Sequence, residues 1–164
     1  DVDLSPRVRA EIERDLPPEK LTEPTGRGFA MAKEALGSSV ERHGLSVYDL
    51  SPERLGTFDV VHVGDVLLHL KHPLRAIENV RAVTRGYALF SESYHPDLEF
   101  IGGECPVDHL GGVFNSTWWR FSLEALQRMI LDAGFSKVEV LSTFRIGYRG
   151  GPPTMHHAVL RAQP

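Results

Sequence analysis

The sequence predicts an α/β protein: a mostly parallel sheet with helices on both faces, closed by a C-terminal antiparallel hairpin and incomplete at its amino end. Three observations carry this expectation. Strand-like and helix-like segments alternate from residue 58 to residue 144, as in parallel sheets with covered faces. The run Phe58–Val63 is rich in β-branched residues, which suits a strand buried on both faces. The last two strand-like segments are separated by a short Gly/Pro stretch, 147–153, which suits an antiparallel pair. The 164 residues fit one domain with one core, so residues 1–164 are read as a single, partial domain.

The elements follow in order. Ser5-Pro6 opens a helix, with Ser as cap and Pro at the first helical position. Val8, Ile12 and Leu16 extend it as an apolar stripe until Pro17-Pro18 ends it. Residues 17–26 hold three prolines and a glycine and read as a loop. A second helix takes Phe29 to Leu36 and stops at Gly37. A strand is expected over Val40–Val47, where Leu45 and Val47 alternate with Ser46, and Pro52 and Gly56 bracket a turn. After the Phe58–Val63 strand, Pro73 opens a helix with Leu74, Ile77, Val80 and Val83 on one side, stopped by Gly86. Tyr87–Phe90 is another buried strand. Residues 93–117 contain Gly102-Gly103, Gly111-Gly112, Pro96 and Pro106 and read as a long irregular loop of the kind that carries function. Ser122 caps a helix with Leu123, Leu126, Met129 and Ile130 inward, stopped by Gly134. Val138–Phe144 and Met155–Ala162 are the closing strands.

Bulk properties exclude several classes. Hydrophobic content of 41% and charged content of 24% are those of ordinary globular material. A net charge of -4 gives no basic footprint for nucleic acid, although a local patch can sit on an acidic protein. Cys105 is the one cysteine, which excludes an internal disulfide and fits a reducing cytoplasm. There is no apolar run of about 18 residues for a membrane span, and no signal peptide is visible in these residues. The opening, Asp1-Val2-Asp3-Leu4, reads as the end of a strand, so the chain is expected to begin inside a domain.

The motifs lie where strands end. In Val63-Gly64-Asp65 the glycine allows close backbone approach to a ligand, and ligands of open parallel sheets lie at the carboxyl ends of strands. His69 is either a general base, since imidazole titrates near neutrality, or a structural side chain holding the loop. Trp118 and Trp119 are adjacent and cannot both enter one core from an extended segment; one lines a pocket or anchors the long loop. His69 with His72, His156-His157 and the lone Cys105 make no recognised zinc spacing, so no metal is expected. On a strand, His156 and His157 face opposite ways. No GxSxG elbow or phosphate-cradling glycine loop is present.

Phe58-Asp59-Val60-Val61, then Leu67-Leu68-His69, then the Pro73 helix, together with Ala133-Gly134-Phe135 and the closing hairpin, resemble class I S-adenosylmethionine (SAM)-dependent methyltransferases. The resemblance covers nearly the whole chain, from their second strand onward, and implies a Rossmann-like fold. Trp118-Trp119, His69 and the helix spacing are most similar to a group related to the tRNA wobble-uridine 5-oxyacetate methyltransferases. That group has a Tyr where this chain has Leu68, which implies plain SAM over a carboxylated cofactor. The resemblance implies further that Asp1 or Asp3, with Asp1 favoured, accepts hydrogen bonds from the ribose. Val47, Tyr48 and Asp49 would hold the adenine, and Val63, Gly64 and Asp65 would lie against the cofactor.

His69 would be the catalytic candidate. Trp118, Trp119 and Arg149 would meet the substrate, with Arg145 and Tyr148 near the same hairpin; a solvated turn is the alternative for these last three. The first strand, its glycine-rich loop and the first helix are not in the sequence, so an upstream segment or a second chain is expected to complete the domain. The chain by itself is then expected to bind SAM poorly. The function expected is methyl transfer from SAM to a small or planar nucleophile, or to tRNA. The alternatives are a non-catalytic methyltransferase-like binding module and, more remotely, a nicotinamide-dependent oxidoreductase.

Overall fold

The computed structural model describes residues 6, 10, 26–101, 104–114, 117–147, 150, 151 and 153–164. Asp1, Asp3, Tyr148, Arg149 and most of the helix expected over 5–16 lie outside the described residues; positions 6 and 10 of that helix are helical. Helix α1 (Arg27–Ala35) opens after Gly26 and buries no residue. Gly37, at φ 57°, sits just past its end in the left-handed region that glycine occupies without strain.

The strand expected over 40–47 does not form. Residues 38–46 are irregular and lead into a 3-10 turn, Val47–Asp49. The alternation there spans only three residues, and the Ser46 hydroxyl accepts the Tyr48 amide at 3.3 Å. Such local bonding competes with a ladder. A single helical turn, α2 (Pro52–Leu55), precedes strand β1 (Phe58–Gly64).

Helix α3 (Pro73–Val83) connects β1 to β2 (Thr84–Tyr94), and the two strands pair in parallel from Val60↔Tyr87 to Gly64↔Ser91. Gly86 does not stop α3, as the sequence suggested. The helix gives way at Thr84, whose hydroxyl donates to the Val80 carbonyl at 2.7 Å. Gly86 lies inside β2, where an added Cβ would come within 2.2 Å of the Asp59 carbonyl oxygen. It is the close approach of two strands that requires glycine there.

The stretch expected as a long loop, 93–117, is structured over much of its length. A 3-10 turn, Pro96–Phe100, precedes β3 (Val107–Phe114), which pairs antiparallel with β4 (Thr117–Phe121). Gly111 and Gly112, at φ 68° and 69°, lie in the irregular part of β3 between His109 and Phe114. Glycines that look like loop punctuation in the sequence thus sit inside a bulged strand.

Helix α4 (Leu123–Asp132) is capped by Ser122, whose hydroxyl accepts the Ala125 amide at 3.1 Å. β5 (Lys137–Gly147) and β6 (Pro153–Gln163) complete a four-stranded sheet in the order β1-β2-β6-β5. β1, β2 and β5 run one way and β6 runs against its neighbours. This is the α/β, mostly parallel sheet with a closing antiparallel pair that the sequence predicted.

The core lies between the sheet and the α3–α4 pair. Ile77, Val80, Leu126 and Ile130 pack with Val63, Phe90, Leu160 and Ala162, and Phe135 meets Phe90 edge-on at 5.8 Å. β1 departs from its expected burial on both faces. Phe58 is 43% and Val60 48% exposed, and Val63 is its one buried residue. Among the described residues β1 has a neighbour on one side only, β2. No helix among the described residues is long and apolar enough to cross a membrane.

Candidate functional site

The site is built at the carboxyl ends of β1 and β2. The chain leaves β1 through Asp65, whose φ of 49° is the one positive value at a non-glycine among the described residues. Gly64, singled out in the sequence, stays extended; a Cβ there would meet the His62 ring at 3.0 Å. Asp is among the few residues that tolerate the left-handed region. Its side chain is held as well: His157 Nε2 lies 2.9 and 3.0 Å from the two carboxylate oxygens. His157 comes from β6 and is buried.

From the other face of the sheet, Glu92 on β2 fixes the next two residues. Its carboxylate oxygens accept the amides of Val66 at 3.1 Å and Leu67 at 3.2 Å. Glu92 is 1% exposed. Burial, helped by the nearby Asp65 charge, raises its pKa to about 8, against the opposing pull of the two amide bonds. A 3-10 turn, Leu67–His69, follows, with Leu67 and Leu70 buried as anchors. The loop is therefore pinned from both faces of the sheet.

Beyond this loop lies a cleft of about 540 Å³, lined by Leu68, Ser93 and Tyr94 at the end of β2, His95 just past it, Arg120 and His156. The His95 amide donates to the Phe121 carbonyl at 2.8 Å, tying β2 to the end of β4. Arg120 organises the wall. Its Nε donates to His95 Nδ1 at 3.3 Å, one terminal nitrogen reaches Asp108 at 3.3 Å, and the other makes a short contact with Asp97. Burial first, then the Arg120 charge, hold the His95 pKa below its usual value. The hydrogen bond from Arg120 lowers that of Asp97.

The residues expected from the sequence fall into separate groups. Val47, Tyr48 and Asp49 form one turn against α3. Asn79 donates to the Val47 carbonyl, and the Tyr48 hydroxyl accepts the His72 amide, each at 3.1 Å. The Tyr48 ring lies under Arg75 at 5.7 Å, so its face is turned to α3. Asp49 is exposed, 3.9 Å from Arg54. Val63, Gly64 and Asp65 end β1 as described. The turn that carries His69 touches β4, which carries both tryptophans. Trp118 packs under Lys71 Nζ at 4.9 Å. Trp119 joins the core and lines a second, apolar hollow with Phe121 and Met129. The two rings diverge as their adjacency requires. His156 and His157 diverge too: one lines the cleft and the other is buried.

Sequence reading missed Glu92, His95, Asp97, Arg120 and the Asp65–His157 pair. One signal was available. Glu92 lies two residues past the strand expected over Tyr87–Phe90 and shares parity with Ala88 and Phe90, so a longer strand sets a carboxylate on its covered face.

No family model matches the sequence, and no curated protein matches it. Solved structures do resemble the fold. The N-terminal domain of EvdMO1, crystallised with S-adenosylhomocysteine (SAH) and D-fucose, superposes with a TM-score of 0.57 at 20% identity over 82% of this chain. The 1,6-didemethyltoxoflavin-N1-methyltransferase of Burkholderia thailandensis, with SAH bound, gives 0.57 at 17% over 87%. Magnesium protoporphyrin IX methyltransferase of Synechocystis PCC 6803, with SAM bound, gives 0.53 at 15% over 85%. This chain shares the Rossmann-like α/β fold of these three proteins. It spans 59%, 57% and 54% of those three chains. In such a fold the Asp65–His69 loop lies at the strand ends where open sheets bind their ligands.

Proposed function

We propose that the chain is the substrate-side part of a SAM-dependent methyltransferase domain, transferring a methyl group to an oxygen, nitrogen or carbon nucleophile of a small or planar substrate. The observation that carries this reading is the cleft of about 540 Å³ at the carboxyl ends of β1 and β2, in a fold whose solved relatives hold SAM or SAH. A volume of this size suits one small molecule.

The described residues fit part of the cofactor. Asp49 offers an exposed carboxylate to an amino edge, and the backbone of Val63 and Gly64 ends β1 beside a loop already rigid before any ligand arrives. Asp1 or Asp3 would take the ribose. When bound, SAM supplies an activated methyl group. The protein's contribution is mainly positioning, since an in-line displacement gains most from alignment and little from acid–base groups. Glu92 and His157 fix the loop that separates the cofactor side from the cleft, and Leu68 faces the substrate. His69, next to Leu68, is the proposed acceptor where the nucleophile must lose a proton. The departure at Leu68 supports plain SAM.

The resemblance to the wobble-uridine group supports a pyrimidine-like ring as one member of the substrate class, free or in tRNA. The exposed Phe58 and Val60 on the outer edge of β1 support completion of the sheet by a further strand, from an upstream segment or a second chain. A cytoplasmic location fits the sparse use of cysteine.

The test uses methyl-tritiated SAM, the full gene product and a panel of rings bearing phenolic, enolic or ring N–H nucleophiles. Label should pass to at least one ring. Leu68→Trp, which fills the cleft, should cut transfer about 100-fold while SAH still binds. Equal transfer by the two proteins, or no SAH binding at millimolar concentration, contradicts the reading.

A further inference from the structure

Two histidines line the cleft, and each has an arginine on one ring nitrogen. Arginine has donors only, so the nitrogen facing it must present a lone pair. Arg120 Nε donates to His95 Nδ1 at 3.3 Å. A neutral His95 therefore carries its proton on Nε2. At His156 the pattern is reversed: Arg145 Nε and a terminal nitrogen lie 3.3 and 3.1 Å from Nε2. A neutral His156 therefore carries its proton on Nδ1. The Tyr94 ring meets His156 edge to face at 5.7 Å, which steadies that imidazole.

The nitrogen left over on each ring is thus an N–H donor and has no lone pair for a base to use. Asp97 and Asp108 both hold the Arg120 guanidinium, so that side of the cleft has no positive charge left over to draw an anion. Arg145 stands behind His156, outside the lining. Leu68, Leu110 and Met155 give the remaining wall its apolar part, and Ser93 and Thr117 add hydroxyl groups.

From this geometry we propose that the cleft selects an uncharged planar ring bearing hydrogen-bond acceptors, such as ring carbonyls, and that His95 and His156 are its specificity-determining donors. This rests on the reading that the cleft holds the methyl acceptor. A carboxylate substrate would be set against Asp97, and a cationic amine has no lone pair to offer the two N–H donors. Proton removal, where the chemistry needs it, does not fall to either of these histidines.

Long-range nitrogen–proton NMR on the full gene product, labelled with ¹⁵N-histidine, reads both tautomers directly. At pH 7 His95 should be the Nε2–H form and His156 the Nδ1–H form. Benzamide, benzoate and benzylamine, added separately at equal millimolar concentration, probe the charge preference. Benzamide should shift both N–H signals, and His95→Phe should weaken it about 10-fold. Arg145→Met, at an exposed position that does not threaten folding, should release His156 into a mixture of tautomers.

An imidazolium or an Nδ1–H form at His95 overturns the proposal. So does benzamide that moves neither ring, or benzoate or benzylamine that moves them more. Calorimetric titration with SAH separates the two claims. Loss of SAH binding with the tautomers intact removes the methyltransferase reading, whereas wrong tautomers with SAH bound remove this proposal alone.

Discussion

The two faces of the sheet do different work. The face under α3 and α4 is closed: Phe90, Leu160, Ala162 and Val63 are buried against the helices, and Glu92 is the buried carboxylate at its end. The opposite face carries a half-exposed Tyr87 and Val60, with Phe144 stacked on the buried His157 at 5.6 Å. The closed face holds the fold together through apolar burial, worth roughly 1.5–3 kcal/mol per large side chain. The other face, with the edge of β1, leaves apolar surface of the kind that proteins cover with another element. Both faces send one ionisable side chain to the same loop, Glu92 from one and His157 from the other. That convergence marks the loop at the end of β1 as the place the fold is built to hold still.

Mutations should separate the faces sharply. Phe90→Ala on the closed face should cost about 3–5 kcal/mol, seen as a large drop in the urea midpoint. Val60→Lys on the β1 edge should change stability by no more than about 0.5 kcal/mol, yet prevent any further strand from adding there. Comparable losses at the two positions would break the contrast.

A smaller effect comes from Glu92. Its pKa is raised from 4.5 to about 8 in the folded protein, so between these values the native state holds a proton that the unfolded chain has released. Stability is then greatest below about pH 4.5 and falls as the pH rises toward 8, by at most about 1.4 kcal/mol per pH unit. Denaturant midpoints measured across pH 5–8 check this, with Glu92→Gln expected to flatten the decline. A decline that persists unchanged in the variant assigns it to other groups. Smallest of all is the expected affinity of the 164-residue chain alone for SAM, which should be weaker than micromolar. A micromolar Kd by calorimetry would mean that β1 needs no further neighbour for cofactor binding.

How much of this was legible in the sequence depended on whether the controlling interaction was local. Ser122 and Gly134 bracket α4, and Pro73 opens α3, because caps and breakers act within a turn of themselves. The parallel β1–β2 pair was legible from two short apolar runs, Phe58–Val63 and Tyr87–Phe90, on either side of a helix. The strand expected over 40–47 failed because Ser46 satisfies the Tyr48 amide locally. Gly86 and Gly111-Gly112 were misread because glycine ends helices and also permits close strand contacts, and only the partner strand tells which. The loop after β1 was found from its Gly-Asp turn, but its two fixing groups were not. Glu92 lies 26 and 25 residues from the amides it holds, and His157 lies 92 from Asp65. The Arg120 hub joins three segments for which no spacing rule exists.

Hydrogen exchange of the full gene product, with and without saturating SAH, tests the central claim most directly. Protection should rise at Val63–Leu67 and at Val47–Asp49 and stay unchanged in α4, on the far side of the core. An SAH-bound protein whose 63–67 amides exchange as fast as before would contradict the placement of the cofactor at the end of β1.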